Sequence, residues 1–136
     1  MNGMKKCGKQ CLMCPYVKEG NVIQGGKFTW KIRSEINCET KNVVYLIECN
    51  KCRKRYIGES ERMLKHRISE HKGYINNRIL SKETGLHYSL PGHNIANMTV
   101  TAMEKVMKND ILYRNEKESY LINKFITFHS DMNEMP

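Results

Sequence analysis

Residues 42–58 read NVVYLIECNKCRKRYIG, and this stretch decides the fold of the chain. Its first part, NVVYLIE (42–48), is rich in β-branched and aromatic residues, and RKRYIG (53–58) follows after a short polar turn. Two such runs separated by a turn are typical of a β-hairpin. The tip of the predicted hairpin carries Cys49 and Cys52.

The residues that follow the hairpin change to a helical pattern. From Glu59 to about Ile75, Leu64, Ile68, His71 and Ile75 recur at steps of four, three and four. A second helix is predicted over 109–125, with Asn109 or Asp110 as its N-cap.

The rest of the chain is predicted as strands and loops. KFTWKIR (27–33) alternates, with Phe28, Trp30 and Ile32 on one side, which indicates a strand; 98–106 indicates another. Residues 1–26 and 81–97 are predicted as loops. We therefore expect an α+β fold: a small antiparallel β-sheet flanked by helices, with zinc-knuckle insertions.

The composition favours a nucleic-acid partner. The 136 residues, enough for one compact domain, carry 23 Lys and Arg against 14 Asp and Glu, a net charge of +9. A cation-rich surface that serves only solubility is the alternative. There is no apolar run of the roughly 20 residues that a membrane span needs, and the start MNGMKKCGKQ lacks a signal-peptide pattern. We expect neither secretion nor membrane insertion.

The first cysteines are spaced as metal ligands. Cys7, Cys11 and Cys14 place three thiols within eight residues, and Cys38 would complete a four-cysteine site. A CxxC turn of this kind aims two sulfurs at one zinc ion. Redox thiols or a disulfide are the alternatives, although a disulfide needs an oxidising compartment.

Cys49 and Cys52 form a second CxxC pair that needs two more ligands. His87 and His93 stand in HYSLPGH, where Pro91-Gly92 turns the chain and can bring both imidazoles together. A site with these four ligands leaves zinc no open position, so it is predicted to be structural. The alternative is that the histidines are ordinary loop residues.

Five further residues suit phosphodiester hydrolysis, which needs an acceptor for the proton of the attacking water and positive charge for the transition state. They are Tyr45, Tyr56, Arg67, His71 and Glu118. Each also has a simple structural explanation: the tyrosines as packing residues, Arg67 as a solvated charge, and Glu118 as a surface partner of Arg114.

The order of these motifs resembles the GIY-YIG nuclease superfamily. Val43-Val44-Tyr45 stands for the first triplet, Tyr56-Ile57-Gly58 is the second, and ERMLKHRISEH and KESYLINKF follow. The CxxC between the triplets, the PGH turn and the upstream cysteines resemble most closely the endonuclease domain of Penelope-like retroelements. The first triplet reads VVY, which matters little because the tyrosine carries the chemistry.

The resemblance implies a role for each residue. Tyr45 would position or deprotonate the attacking water, supported by Tyr56, and Arg67 would clamp the phosphate. His71 would contact the phosphate or shuttle a proton, with His66 as its competitor. A phenol with an ordinary pKa of about 10 is a poor base at pH 7, so the metal-bound water or nearby Lys and Arg must tune Tyr45.

The resemblance also implies the cofactors. Glu118 would hold one catalytic Mg²⁺ or Mn²⁺, and two structural Zn²⁺ ions would occupy the cysteine and cysteine–histidine sites.

The function implied is a metal-dependent endonuclease that nicks duplex DNA and leaves a 3′-hydroxyl able to prime reverse transcription. Element RNA and a reverse transcriptase in the same polypeptide would be further partners, and the nucleus the location. One active site per chain predicts nicking, since double-strand cleavage would need two copies. The alternatives are a non-catalytic zinc-dependent nucleic-acid-binding module and a repair or restriction nuclease. The predicted division is a cysteine-rich segment, 1–41, and a nuclease domain, 42–130.

Overall fold

The computed structural model describes residues 1–25, 28–107 and 110–125. These residues form strands, most of them in the first half of the chain, and three α-helices, so the predicted α+β class is confirmed. Single 3₁₀ turns occur at Cys14–Tyr16 and Ile95–Asn97. The elements are β1 (Gly3–Met4), β2 (Val22–Gly25), β3 (Phe28–Lys31), β4 (Glu35–Ile36), β5 (Val43–Cys49), β6 (Arg55–Ser60), α1 (Leu64–Asn76), α2 (Glu83–His87), β7 (Met98–Lys105) and α3 (Ile111–Phe125).

A three-stranded antiparallel sheet with the order β6-β5-β7 forms the centre of the fold. Every residue of β5 is buried, as expected for a strand that is covered on both faces. The predicted hairpin is confirmed as β5–β6, with the CxxC pair at its tip. Tyr45 lies opposite Gly58, and Tyr56 opposite Ile47, so both tyrosines project from the same face of the sheet.

The pairing between β5 and β7 is irregular beside Tyr45. Val44 faces Glu104 and Tyr45 faces Ala102, so Met103 is an extra residue in β7. Such a β-bulge bends the strand and changes the direction of neighbouring side chains. It lies next to the tyrosine for which the sequence predicts a catalytic role.

The helical pattern after the hairpin is confirmed, but the predicted start at Glu59 is wrong. Glu59 and Ser60 pair with Val44 and Val43 and therefore belong to β6, because the ladder with β5 extends the strand beyond the YIG triplet. The helix begins at Leu64. Its buried residues are those of the predicted pattern: Leu64, Ile68, His71 and Ile75.

The predicted loop over 81–97 is also wrong, since it contains α2 and a 3₁₀ turn. A helix of five residues is too short to show a periodic pattern. Close packing holds it in place: a Cβ at Gly85 would lie 2.1 Å from the carbonyl oxygen of Ile79. The last helix is confirmed, and Oδ1 of Asp110 caps it by accepting from the Tyr113 N–H at 3.0 Å. Asn109 lies outside the described residues.

The N-terminal segment packs on the same core as the sheet. β2 and β3 form an antiparallel hairpin, and the predicted strand 27–33 is present as β3; residue 27 is not described. The predicted loop over 1–26 is wrong at β1 and β2, because each pairs with a later strand, whereas the other residues before β2 are mostly loops, as predicted. Met4 and Ile36 belong to one hydrophobic cluster with Val44 and Leu121.

The division at residue 41 stays a prediction, and residues 126–130 of the second part lie outside the described ones. Among the helices that the structure describes, none is long and apolar enough to cross a bilayer.

Candidate active site

Tyr45 and Gly58 fit each other across the hairpin. Tyr45 is fully buried, and its ring covers the backbone of Gly58 on the paired strand. A Cβ at position 58 would lie 2.5 Å from the Tyr45 hydroxyl oxygen and 2.6 Å from Cζ. The glycine of the YIG triplet therefore makes room for the phenol of the first triplet.

A buried hydrogen-bonded chain runs from Tyr45 through His71 to Thr84. The hydroxyl oxygen of Tyr45 lies 2.7 Å from Nε2 of His71, and Nδ1 of His71 lies 2.8 Å from Oγ1 of Thr84. Burial, assisted by the charge of Arg67, lowers the pKa of His71 to about 3. The imidazole is therefore neutral near pH 7, with one nitrogen that donates and one that accepts.

The pKa values of Tyr45 and Tyr56 are shifted upward, whereas a tyrosine that acts as a base near pH 7 needs a lowered pKa. Burial raises the pKa of Tyr45 well above its ordinary value, and burial likewise raises the pKa of Tyr56. The positive charge of Arg67 acts against both shifts without reversing them. In the free protein both phenols are neutral. The ring of Tyr56 packs 5.2 Å from His71 and 6.3 Å from Tyr45, centroid to centroid.

Arg67 lies at the wall of a small pocket beside these rings. Nη1 of Arg67 donates to Oε1 of Glu70 at 2.9 Å, which orients the guanidinium. His66 is exposed and His71 is buried, so His71 is the histidine that this region contains. The pocket has a volume of about 110 Å³ and is lined by Tyr56, Arg67, His71, Tyr74, Lys82, Glu83 and Thr84.

Glu118 on α3 is electrostatically part of the same region. Burial, followed by the negative charge of Glu59, raises the pKa of Glu118 to about 7. In turn, the charge of Glu118 raises the pKa of Tyr45 and of Tyr56, and Arg67 lowers the pKa of Glu118. Glu118 is therefore within electrostatic reach of Tyr45, Tyr56 and Arg67.

Arg114, the expected surface partner of Glu118, is buried and engaged elsewhere. It forms an ion pair with Glu59, and its Nη1 donates to Oδ1 of Asn42 at 3.1 Å. This pairing fixes the start of α3 against β6 and the residue before β5.

The four N-terminal cysteines converge. The sulfur of Cys14 lies 3.6 Å from the sulfurs of Cys7 and Cys11 and 3.9 Å from that of Cys38. Tetrahedral zinc with Zn–S bonds of about 2.3 Å has sulfur–sulfur edges of about 3.8 Å. Hydrogen bonding from the backbone of Lys9 lowers the pKa of Cys7 to about 6, whereas burial raises the pKa of Cys11 and of Cys38. Metal binding requires all of these thiols as thiolates. The group could hold a metal ion.

The second predicted group also converges, within 4.8 Å between ligand atoms. The sulfur of Cys52 lies 3.4 Å from Nε2 of His87, and Nδ1 of His93 donates to the carbonyl oxygen of Pro91 at 3.2 Å. In the described part of the chain, Nε2 of His93 is buried without a hydrogen-bond partner. A metal ion would satisfy this orphaned nitrogen, with the Pro91 carbonyl fixing the ring from behind. These residues, with Cys49, fit a metal ion.

The comparison with protein families decides the identification. A family model of the GIY-YIG catalytic domain matches residues 41–131, more than half of the chain. This chain belongs to the GIY-YIG family. No curated protein and no solved structure matches it. The GIY-YIG family is a family of nucleases, and its substrate class is DNA.

The matched part of this GIY-YIG protein contains the whole tyrosine, arginine, histidine and glutamate set and the cysteine–histidine cluster. The four-cysteine cluster precedes it. Its first triplet begins with Val43 and Val44, both fully buried in the sheet, so the departure from GIY affects core positions only.

Thr84 and Glu83, which line the pocket beside Arg67 from α2, were not predicted from the sequence. No local pattern identifies them, because a five-residue helix has no periodic signature. The nearest signal was His87: if it binds a metal at the hairpin tip, the residues just before it must approach α1.

Proposed function

We propose that this GIY-YIG domain is a metal-dependent DNA endonuclease that hydrolyses one phosphodiester and nicks duplex DNA, leaving a 3′-hydroxyl. The observation that carries the proposal is the buried hydrogen bond between Tyr45 and His71. It places a proton acceptor behind the phenol, beside the pocket that Arg67 lines.

His71 supplies the proton acceptor that Tyr45 lacks by itself. Tyr45 donates its hydroxyl proton to Nε2 of His71, whose Nδ1–H donates to Thr84. As Tyr45 takes a proton from the attacking water, its own proton passes to Nε2, so the phenol need not exist as free phenolate. A bound phosphate brings negative charge, which raises the low pKa of His71 and favours this transfer.

Arg67, and a cation bound by Glu118, would balance the negative charge that develops in the reaction. The guanidinium, oriented by Glu70, donates to phosphate oxygens, which gain negative charge in the transition state. The Glu118 carboxylate is half-buried, next to Glu59 and with its pKa raised to about 7, and such an oxygen donor fits a hard divalent cation. When bound there, Mg²⁺ or Mn²⁺ supplies positive charge for the leaving 3′-oxygen.

Zinc is the proposed ion in both cysteine clusters. Structural zinc is bound by sets of four ligands, which are thiolates and neutral imidazoles. Burial, followed by the neighbouring His93, lowers the pKa of His87 to about 4, which keeps its ring in the neutral form that binds metal.

The biological setting that we propose is a Penelope-like retroelement, in which the nick primes reverse transcription in the nucleus. The support is the order of motifs: an upstream cysteine cluster, a CxxC between the triplets and the PGH turn. Element RNA and a reverse transcriptase in the same polypeptide are the partners of this proposal.

The test is cleavage of supercoiled plasmid DNA with Mg²⁺ or Mn²⁺, with zinc measured in the same samples. We expect the wild type to produce open circles and to contain two zinc ions per chain. Glu118→Gln should abolish nicking but retain DNA binding. Glu116→Gln, an exposed neighbour on α3, is the matched control and should nick normally.

Normal nicking by Glu118→Gln would remove the metal role of this carboxylate. A folded, zinc-loaded wild type that binds DNA and cuts none would instead favour the non-catalytic nucleic-acid-binding module.

A further inference from the structure

Aromatic rings and lysines alternate on one surface of the protein, formed by α3 and β3. On α3 they recur at steps of four, three and four residues, so they lie on one face of the helix. Two rings of β3 extend this face. We call it the aromatic–lysine surface; its members are Phe28, Trp30, Tyr113, Lys117, Tyr120 and Lys124.

The two lysines lie between the rings. Nζ of Lys117 is 5.4 Å from the ring centroids of Tyr113 and Tyr120 and 5.6 Å from that of Trp30. Nζ of Lys124 is 5.6 Å from the centroid of Tyr120. Cation–π attraction therefore spaces the ammonium groups between the rings.

Some polar groups of this surface already have partners within the protein. The indole N–H of Trp30 donates to the Met103 carbonyl at 2.7 Å, and the Tyr113 hydroxyl donates to Glu104 at 2.7 Å. Glu104 also lies 3.8 Å from Lys117. At the other end, Tyr120 is 44% exposed and Lys124 is exposed, although α3 buries the adjoining face through Leu121.

We propose that the aromatic–lysine surface binds an unpaired strand of the DNA substrate. Bases of a single strand stack on aromatic rings, and ammonium groups between the rings meet the phosphates. In duplex DNA the base faces are already stacked on one another, so the rings would have no partner and only the lysines would contribute.

The position of the surface fits this occupant. Glu118 directly follows Lys117, about 100° further around the helix, so the surface and the proposed metal ligand share one turn of α3. The net charge of +9 complements a polyanion. The proposal rests on DNA as the substrate class, but not on cleavage by this chain.

Binding measurements on the Glu118→Gln protein, intact and zinc-loaded, test the proposal separately from cleavage. The probes are a labelled 12-nucleotide single strand and the same sequence as a duplex, measured by fluorescence anisotropy. Trp30 is the sole tryptophan of the chain, so its emission reports directly on the surface. We expect the single strand, and not the duplex, to quench it.

Substitutions at Tyr120 separate stacking from charge. Tyr120→Leu should weaken single-strand binding by about tenfold and change duplex binding less than twofold, whereas Tyr120→Phe should bind like its parent. Lys124→Gln should weaken single-strand binding more than Lys72→Gln, which removes a lysine from a tyrosine ring elsewhere, Tyr16.

Three results would overturn the proposal: equal losses for single strand and duplex with Tyr120→Leu, unchanged Trp30 emission at saturation, or tighter binding of the RNA strand of the same sequence. If the wild type nicks no plasmid while these binding results hold, the proposed function fails and this surface stands.

Discussion

The hydroxyl of Thr84 is bonded to the nitrogen of His71 that faces away from Tyr45. Both bonds are buried, at 2.8 Å and 2.7 Å, so the partner of one nitrogen restricts what the other can do. When Nδ1 donates to Thr84, Nε2 is left as the acceptor for Tyr45. In the proposed reaction Thr84 is thus a positioning residue, which acts through His71.

Thr84→Val keeps the shape of the side chain and removes the acceptor. We expect nicking to slow by about tenfold, because a buried, unpaired Nδ1–H disfavours the required tautomer. The imidazole nitrogen shifts of His71, measured by NMR, should change with it. Thr84→Ser restores an oxygen and should recover most of the rate. A slow Thr84→Val protein with unaltered His71 shifts would assign the loss to packing alone.

Single residues could be predicted where a local sequence motif specifies them, and not where only tertiary packing does. Tyr45 and Tyr56 belong to short motifs on adjacent strands, and His71 lies in a clear helical pattern, so sequence alone brings these residues to one place. Thr84 carries no motif. Its contact with His71 depends on how α2 packs against α1, which is a tertiary fact.

At the scale of elements, α2 connects two sites. Thr84 near its start contacts His71, and His87 at its end belongs to the cysteine–histidine cluster. Both residues are buried, and Gly85 between them touches the backbone after α1. A helix of five residues has little stability of its own, so these contacts hold it in place.

Loss of the cluster should therefore loosen α2. In Cys52→Ser, we expect amide hydrogen exchange to accelerate over residues 83–90 and nicking to fall. Cys11→Ser removes a ligand from the four-cysteine cluster and is the matched control, which should accelerate exchange over residues 5–16 and leave 83–90 protected. Equal protection of α2 in both variants would contradict this coupling.

The elements that could be predicted are those with strong local patterns. The hairpin, α1, β7 and α3 each have a periodic or β-branched pattern and were placed to within a few residues. The start of α1 was misplaced because pairing with β5 extends β6 through Ser60. Strand ends depend on the partner strand, and a single run of sequence does not contain that information.

At the scale of the whole molecule, two clusters connect parts that are distant along the chain. One joins residues around Cys11 to Cys38, and the other joins the hairpin tip to His87 and His93. Both closures could be predicted from spacing, because thiols and imidazoles have few other reasons to occur in such patterns. The paths of the loops between these ligand residues could not be predicted, because the loops carry no such spacing pattern.

The ionisation of Glu118 affects the stability of the whole molecule. The raised pKa of Glu118, about 7 in the folded chain, means that folding favours the protonated carboxyl. Its contribution to the free energy of unfolding is present below the ordinary pKa of about 4.5 and is lost as the pH rises through about 7. Near pH 8 the ionised, half-buried carboxylate destabilises the fold.

Glu118→Gln removes this charge and should make the protein more stable at pH 8 without added Mg²⁺. Because the group is partly exposed, we expect a gain on the order of 1 kcal/mol. The gain should disappear below about pH 5, where Glu118 is protonated in the folded chain. Adding Mg²⁺ at pH 8 should stabilise the wild type and leave Glu118→Gln unchanged, since the Glu118 carboxylate is the proposed ligand of the ion. Urea unfolding at both pH values measures these differences, and a variant less stable than wild type at pH 8 would show that Glu118 supports the fold.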